Sequence, residues 1–325
     1  MSARAAGLLL GFAADRVLGD PQHLHPVAGF GNAAAALERR LYADSRPRGA
    51  AHTAALVGAA IVGGVVAERA ARNPVAQAVA TAVVAWTVLG GRSLEREALA
   101  VDALLRAGDL PAARERLTHL VGRDTSALEE SEVARAVVES VAENTSDAVV
   151  APLLWGAVAG MPGLLGYRAA NTLDAMVGHH NDRYERFGWA AARFDDLVNL
   201  PGSRIAGAAT LLASPSTARA AVRAWRRDAA AHPSPNAGVV EATFAGALGI
   251  RLGGTNRYYG SRLEHRSVMG DGRAVRPEDI GRAARLARRV GIIGAVVSAS
   301  SALLVARRTA GRRAIASGSR ARGSR

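Results

Sequence analysis

Apolar stretches at residues 54–67, 75–91, 148–166, 205–213, 237–250 and 290–306 do most to limit what this chain can become. None runs 20 residues without a Gly, Pro or polar interruption, and about 20 is what one helix needs to cross a bilayer. A water-exposed helical bundle, however, carries a polar face on each helix, so several nearly uncharged stretches in one chain fit a membrane domain better. Aromatics are only 4% of a chain that is 49% hydrophobic, so the apolar mass consists of small side chains suited to close helix packing. The expectation is an all-α, polytopic helical membrane protein in which amphipathic helices and loops form a site on one side of the membrane.

Residues 54–67 and 75–91, parted by Glu68, Arg69, Arg72, Asn73 and Pro74, read as a helical hairpin. Residues 5–14 imitate a short secretory signal, but the DRVLGDP stretch that follows belongs to a motif treated below, so cleavage is not expected. Residues 92–147 read as a soluble-looking helical insertion, with Pro111 after Asp109 and a capping box of Ser126 and Glu129 opening the helix that follows. Residues 1–306 then form one membrane domain. Residues 307–325 hold seven Arg and no acid, a disordered tail expected to act as a cytoplasmic juxtamembrane anchor; without interleaved aromatics it does not suggest nucleic acid. No strand alternation persists, and no internal repeat is visible.

The stretch after Asp147 is broken by Gly160-Met161-Pro162-Gly163. Residues 148–159 give about 18 Å of helix against roughly 30 Å of hydrocarbon. A re-entrant or buried helical hairpin is therefore expected, with Asp147 and the Asn171/Asp174 segment on the same, cytoplasmic side. The competing reading is one kinked span continuing to about Gly166.

Cysteine is absent, and every one of the 41 basic residues is Arg. That removes disulfides, Cys-ligated zinc and thiolate nucleophiles. It also removes a Walker A lysine and a pyridoxal phosphate aldimine, so no pyridoxal phosphate is expected.

The candidate chemistry is acidic. Glu139, Glu143 and Asp147 are spaced four apart and stack on one helix face, where like charges repel unless a cation or ammonium group joins them. Asn144 lies beside them, where the chain enters an apolar stretch. Asn171 and Asp174 share a face three residues apart; Asp195 and Asp196 precede Asn199, a Pro-Gly break and Arg204. Clustered Asp and Asn with neighbouring Arg suit Mg²⁺ and phosphate. Asn236 is a plausible helix cap, and Gly253 and Gly254 before Asn256 and Arg257 offer backbone amides to an anion. Read alone, each segment is also compatible with a solvated helix face or an ordinary turn.

Five blocks carry a resemblance: DRVLGDPQHLHPVAGFG (15–31), AENTSDAVVAPLLW (142–155), RAANTLDAMVGH (168–179), RFDDLVNLPGSR (193–204) and PNAGVVEATFAGALGIRLGG (235–254). In this order they resemble the signature blocks of the CbiB/CobD family over roughly residues 10–260. Asp15, Asp20, His25 and Pro26 match the first block. NLPGSR departs from the family's usual Asn, two residues, then Pro-Ala-Arg. The resemblance implies a multi-pass protein of the bacterial inner membrane that amidates the free carboxylate of cobyric acid with aminopropanol or its O-phosphate, a carbon–nitrogen ligase reaction using ATP and Mg²⁺. The implied partners are the corrinoid, the amine, the lipid bilayer and other enzymes of the pathway. On this reading Asp147, Asp174, Asp195, Asp196 and Asn199 hold the metal and Glu143 orients or deprotonates the amine. Asp15, Asp20, His25, Asn144, Asn171, Arg204, Asn236, Gly253, Gly254 and Arg257 contact substrate or phosphate. No nucleotide motif is visible. A Mg²⁺-dependent membrane phosphotransferase or prenyltransferase, and a non-catalytic corrinoid carrier or scaffold, stay open beside it.

Overall fold

The computed structural model describes residues 2–20, 26–122, 124–179, 181–258 and 262–322; of 255–258, 262–266 and 309–322 only the backbone is described. Three stretches are long and apolar enough to cross a membrane: Arg46–Ala70, Pro74–Arg106 and Glu278–Arg308. Helices α1 (Ala3–Leu18), α2 (Pro26–Leu41), α3 (Arg46–Ala70) and α4 (Pro74–Val88) come first. Pro at the first turn opens both α3 and α4, and the Asn73 side chain accepts from the Ala76 amide at 2.8 Å, so the 71–73 connection stops one helix and caps the next. The two expected hairpin arms pack chiefly on other partners. Helix α4 lies against α1, because a Cβ at Gly7 or Gly11 would fall 2.5 Å from Thr81 or Ala85. Small residues four apart let these backbones close up.

Helices α5 (Gly91–Arg106), α6 (Leu110–Leu117) and α7 (Glu130–Thr145) follow. The cap of α7 is Glu129, which forms the capping box with Glu132. Ser126 instead hydrogen-bonds Asp124; the expected box was set three residues early because either spacing satisfies the motif. The segment 92–147, read as a soluble-looking insertion, packs into the core of the rest of the chain. Its Val101, Leu117, Val137 and Val141 share one core with Phe244, Ile250, Met269 and Ile280. That core includes α9 (Trp189–Ala213), α10 (Ala218–Asp228), α11 (Ala237–Leu248) and an antiparallel pair, β1 (Leu252–Tyr258) and β2 (Arg262–Met269). The fold is all-α as expected, and among the described residues this pair is its one piece of sheet, which no strand alternation announced. Gly253 and Gly254, at φ 83° and 100°, sit at an irregularity within β1 and hide the alternation.

Helix α7 runs through a π-helical turn, Ser146–Val150, into α8 (Ala151–Val177), which is broken at Gly160 (φ 71°, ψ −150°). The break reverses the chain. A Cβ on Gly163 would meet the Trp155 carbonyl oxygen at 2.2 Å, and one on Gly156 would meet Leu164 at 2.8 Å, although eight residues of straight helix span about 12 Å. The stretch is thus a helical hairpin, as its length and its Gly-Met-Pro-Gly break predict, and the single kinked span is excluded. Arg4 closes the tip: it donates to the carbonyls of Ala157 and Val158 at 3.4 and 3.3 Å and pairs with Glu68 at 2.8 Å.

Helix α12 (Glu278–Arg322) ties the two ends of the molecule together. Its Ile280, Ala283, Leu286 and Val290 join the large core, while Ala295, Ala299 and Ala302 pack with Ala5, Leu8, Leu153, Ala157 and Leu164. Where α1, α5 and α12 meet, Glu95 receives both Arg16 and Arg288. The helix therefore starts at the end holding residues 143–147 and leaves at the hairpin tip. Its backbone continues through the Arg-rich segment expected to be disordered, in keeping with the helix propensity of Ala and Arg. If α12 crosses the membrane, that segment and the base of the hairpin face opposite sides, so the two cannot both be cytoplasmic as the sequence suggested.

Candidate active site

The hairpin's geometry sets the acidic cluster. Asp147 stands thirteen residues before Gly160 and Asp174 fourteen after it, so antiparallel arms return them to one level, where Asp174, Asp195 and Glu143 are all charged neighbours of Asp147. The cluster lies outside the three candidate spans. Asp147 occupies the π turn, a local widening of the helix often found at functional sites. Helix α9 brings Asp195, Asn199 and Ser203 on one face at four-residue spacing. The buried Asp195 accepts from Asn199 Nδ2 at 3.3 Å through Oδ2, while its Oδ1 has no hydrogen bond. Tyr167 on the second arm donates to Asn199 Oδ1 at 2.9 Å and locks α9 to the hairpin.

Burial, then the charges of Asp195, Asp196 and Glu143, push the Asp174 carboxyl up to about 7. Burial and the same kind of crowding hold Asp147 well above the ordinary carboxylate range. The site is thus a crowded set of carboxylates on which a cation would relieve repulsion. Among the described residues no group of three His, Asp or Glu side chains is close enough to cage an ion. The donors are hard oxygens and one buried carboxylate oxygen is orphaned, so the residues fit a Mg²⁺ held by one or two carboxylates and completed by water and substrate oxygens.

Other expected site residues fall around this centre. Asn236 Nδ2 donates to the Asp196 carbonyl at 2.8 Å, and its Oδ1 accepts from Ser203 and Arg204 at 2.9 and 2.8 Å. It pins α9 next to Pro201, whose missing amide leaves the helix short of a donor there. Arg204 therefore reaches Asn236 first. Asn171 adjoins Asp195, while Asn144 Nδ2 turns back to the Ser140 carbonyl at 3.0 Å. Asp20 neighbours Arg168. Asp15 is fully buried, and its Oδ1 faces the Arg92 amide at 3.5 Å, a cap for α5 supplied from α1. His25 lies outside the described residues, as does the side chain of Arg257.

Two expectations are redirected. Glu139 leaves the acidic stripe: its Oε1 accepts from the Gly253 amide at 2.9 Å, while Arg135 takes the Gly253 carbonyl. The anion that this glycine's amide meets is therefore the protein's own carboxylate, which anchors β1 on α7. Tyr167, Arg168 and Ser203 were missed. For Tyr167 and Ser203 the signal was present, since 167, 171 and 174 share one helix face, as do 195, 199 and 203.

The family model for the CobD/Cbib protein matches residues 8–287. The chain belongs to the CobD/CbiB family. It is 49% identical over 310 residues to the "Cobalamin biosynthesis protein CobD" of Mycobacterium tuberculosis H37Rv, covering 94% of this chain and 97% of that one. Proteins of the same description from Geobacter metallireducens (46% over 281 residues, 83% and 88% covered) and Chromobacterium violaceum (44% over 300 residues, 90% and 94%) are also similar. No solved structure matches. In this CobD/CbiB chain the matched region takes in the whole hairpin, α9 and the start of α12 as far as Ala287, and so contains every residue of the acidic cluster.

Proposed function

We propose that the chain is an amide-forming enzyme of cobalamin biosynthesis, which converts adenosylcobyric acid to adenosylcobinamide or its phosphate by joining aminopropanol or aminopropanol phosphate to the free corrin carboxylate. The observation that carries this reading is the return of Asp174 beside Asp147, with Asp195 and Glu143, at one end of an apolar hairpin in a chain of this family. A carboxylate does not condense with an amine unaided. Transfer of a phosphoryl group from ATP makes it an acyl phosphate; the amine nitrogen then attacks the acyl carbon, phosphate leaves and the nitrogen loses a proton. A magnesium ion, when bound, would neutralise phosphate charge during transfer. One or two of the carboxylates of Asp147, Asp174, Asp195 and Asp196, with Asn199 beside them, would hold it, water and substrate oxygens completing the shell. Glu143, beside them, orients the ammonium group and takes the proton. Burial of the cluster limits competing hydrolysis by water.

The test is mass spectrometry of the corrinoid after purified protein meets adenosylcobyric acid, ATP, Mg²⁺ and aminopropanol phosphate or free aminopropanol. The mass gain of amidation with release of ADP is expected. A corrinoid that binds but keeps its mass would make the chain a carrier, and turnover only with a lipid pyrophosphate would make it a prenyl- or phosphotransferase.

A further inference from the structure

Among the described residues the guanidinium of Arg168 lacks the carboxylate partner that three other arginines between the helices have. Arg4 has Glu68, and Arg16 and Arg288 share Glu95. Arg168 is half-buried on the second hairpin arm, and its one hydrogen bond among the described residues runs from Nη1 to Asn171 Oδ1 at 3.4 Å. Its Nε is shielded from solvent and has no acceptor. Asp20 and Asp147 are its charged neighbours, yet neither stands at ion-pair distance. Leaving a shielded cation without a partner is costly, and chains keep such a group where something else completes it. The space beside it is a pocket walled by Pro26, Phe30, Thr87, Leu165 and Thr172, drawn from α2, α4 and α8. The planar fork of Arg, with donors to spare, matches an oxyanion with two oxygens to offer.

We propose that Arg168 is an oxyanion-binding residue, which receives a carboxylate or phosphate group of a ligand seated in the pocket between α2, α4 and α8. With Asp147 as a charged neighbour, the anion lies next to the acidic cluster, so one ligand can present its oxyanion to Arg168 and a cationic or cation-bound group to the carboxylates. The site rests on the amidation reading only for which substrate brings the anion.

Binding can be measured without turnover. Purified full-length protein in lipid nanodiscs is titrated with inorganic phosphate and, separately, with acetate, with and without Mg²⁺, and its thermal unfolding followed. One probe should raise the midpoint, and the effective probe tells phosphate from carboxylate chemistry. Arg168→Gln should need at least tenfold more of that probe, and Arg168→Lys an intermediate amount. The unsubstituted protein supplies a second measurement: the effective probe should protect the Arg168 peptide from phenylglyoxal. An unsubstituted protein that responds to neither probe, an Arg168→Gln variant that responds equally, or phenylglyoxal modification indifferent to the probes would overturn the proposal. Arg168-dependent binding without amidation would remove the ligase reading and leave this site standing; amidation with probe binding indifferent to Arg168 would do the reverse.

Discussion

Arg4 and Glu68 meet at 2.8 Å directly over Gly160, so an ion pair between α1 and α3 covers the point where the hairpin turns back. A Cβ on Gly160 would lie 2.4 Å from Glu68 Oε2 and 2.7 Å from Arg4 Nη2. The φ/ψ combination at this residue is one that only glycine adopts without strain. Gly160→Ala should lower stability by on the order of 1–3 kcal/mol, and by more than Glu68→Gln does. Thermal unfolding in detergent checks the order of the two variants.

Asp147→Asn and Asp174→Asn should each cut amidation by roughly 10²–10⁴-fold, the range for loss of a positioned acid, base or ligand. Both should fold as well as the parent protein, because each removes a charge from a repelling cluster. Turnover at several Mg²⁺ concentrations, with a melting curve for each variant, reads both effects. Parental activity in either variant would remove that residue from the mechanism.

A hairpin that enters and leaves at one end puts the segments before and after it on the same face. Thr145 is only 1% exposed and cannot report this by labelling. Ser131 and Asp182 are exposed on either side of the hairpin, and Arg72 is exposed in the α3–α4 connection. Because the chain has no cysteine, Ser131→Cys and Asp182→Cys should both react with an impermeant thiol reagent in sealed vesicles of one orientation, and Arg72→Cys only in the opposite one. Labelling of the first two from different sides would refute the hairpin.

Asp228, at the end of α10, accepts from the Gly270 amide at 2.8 Å and from Arg227 at 2.6 Å. The Arg227 contact comes first among the causes that hold its pKa below the ordinary carboxylate value. A lowered pKa gives stability that is present above the unfolded value near 3.8 and is lost as pH falls through the folded one, so the effect sits below about pH 4. Asp228→Asn should cost about 1–3 kcal/mol at neutral pH by weakening the acceptor for a buried amide, and should flatten the acid limb of the unfolding curve. An unchanged acid limb would show that Asp228 does not carry it.

The meeting of Asp147 with Asp174 was legible because it follows from lengths: two short apolar arms, a Gly-Met-Pro-Gly break and nearly equal distances to either side. Helical spacing likewise put Asp195 and Asn199 on one face. The departure of Glu139 was not legible, since its partner, the Gly253 amide, is 114 residues away and no local pattern announces it. Asp15 reads as a polar motif residue until α5 is seen to begin beside it. The β1–β2 pair escaped because its glycines interrupt the period of two. Arg168 stood within a quoted motif, but its interest lies in a missing partner, which only three-dimensional neighbours reveal.

Helix α12 supplies walls to two cores, with Ile280 to Val290 in one and Ala295 to Ala302 in the other. It is also the last of the described helices to leave the ribosome. During synthesis the earlier helices reach the membrane with both cores open along one side, so their exposed Ala, Val and Leu surfaces must be held by the insertion machinery or by lipid until α12 docks. Final consolidation therefore waits on α12 for both cores at once, and a ribosome stalled before residue 278 would display a chain that has every carboxylate of the acidic cluster and neither finished core.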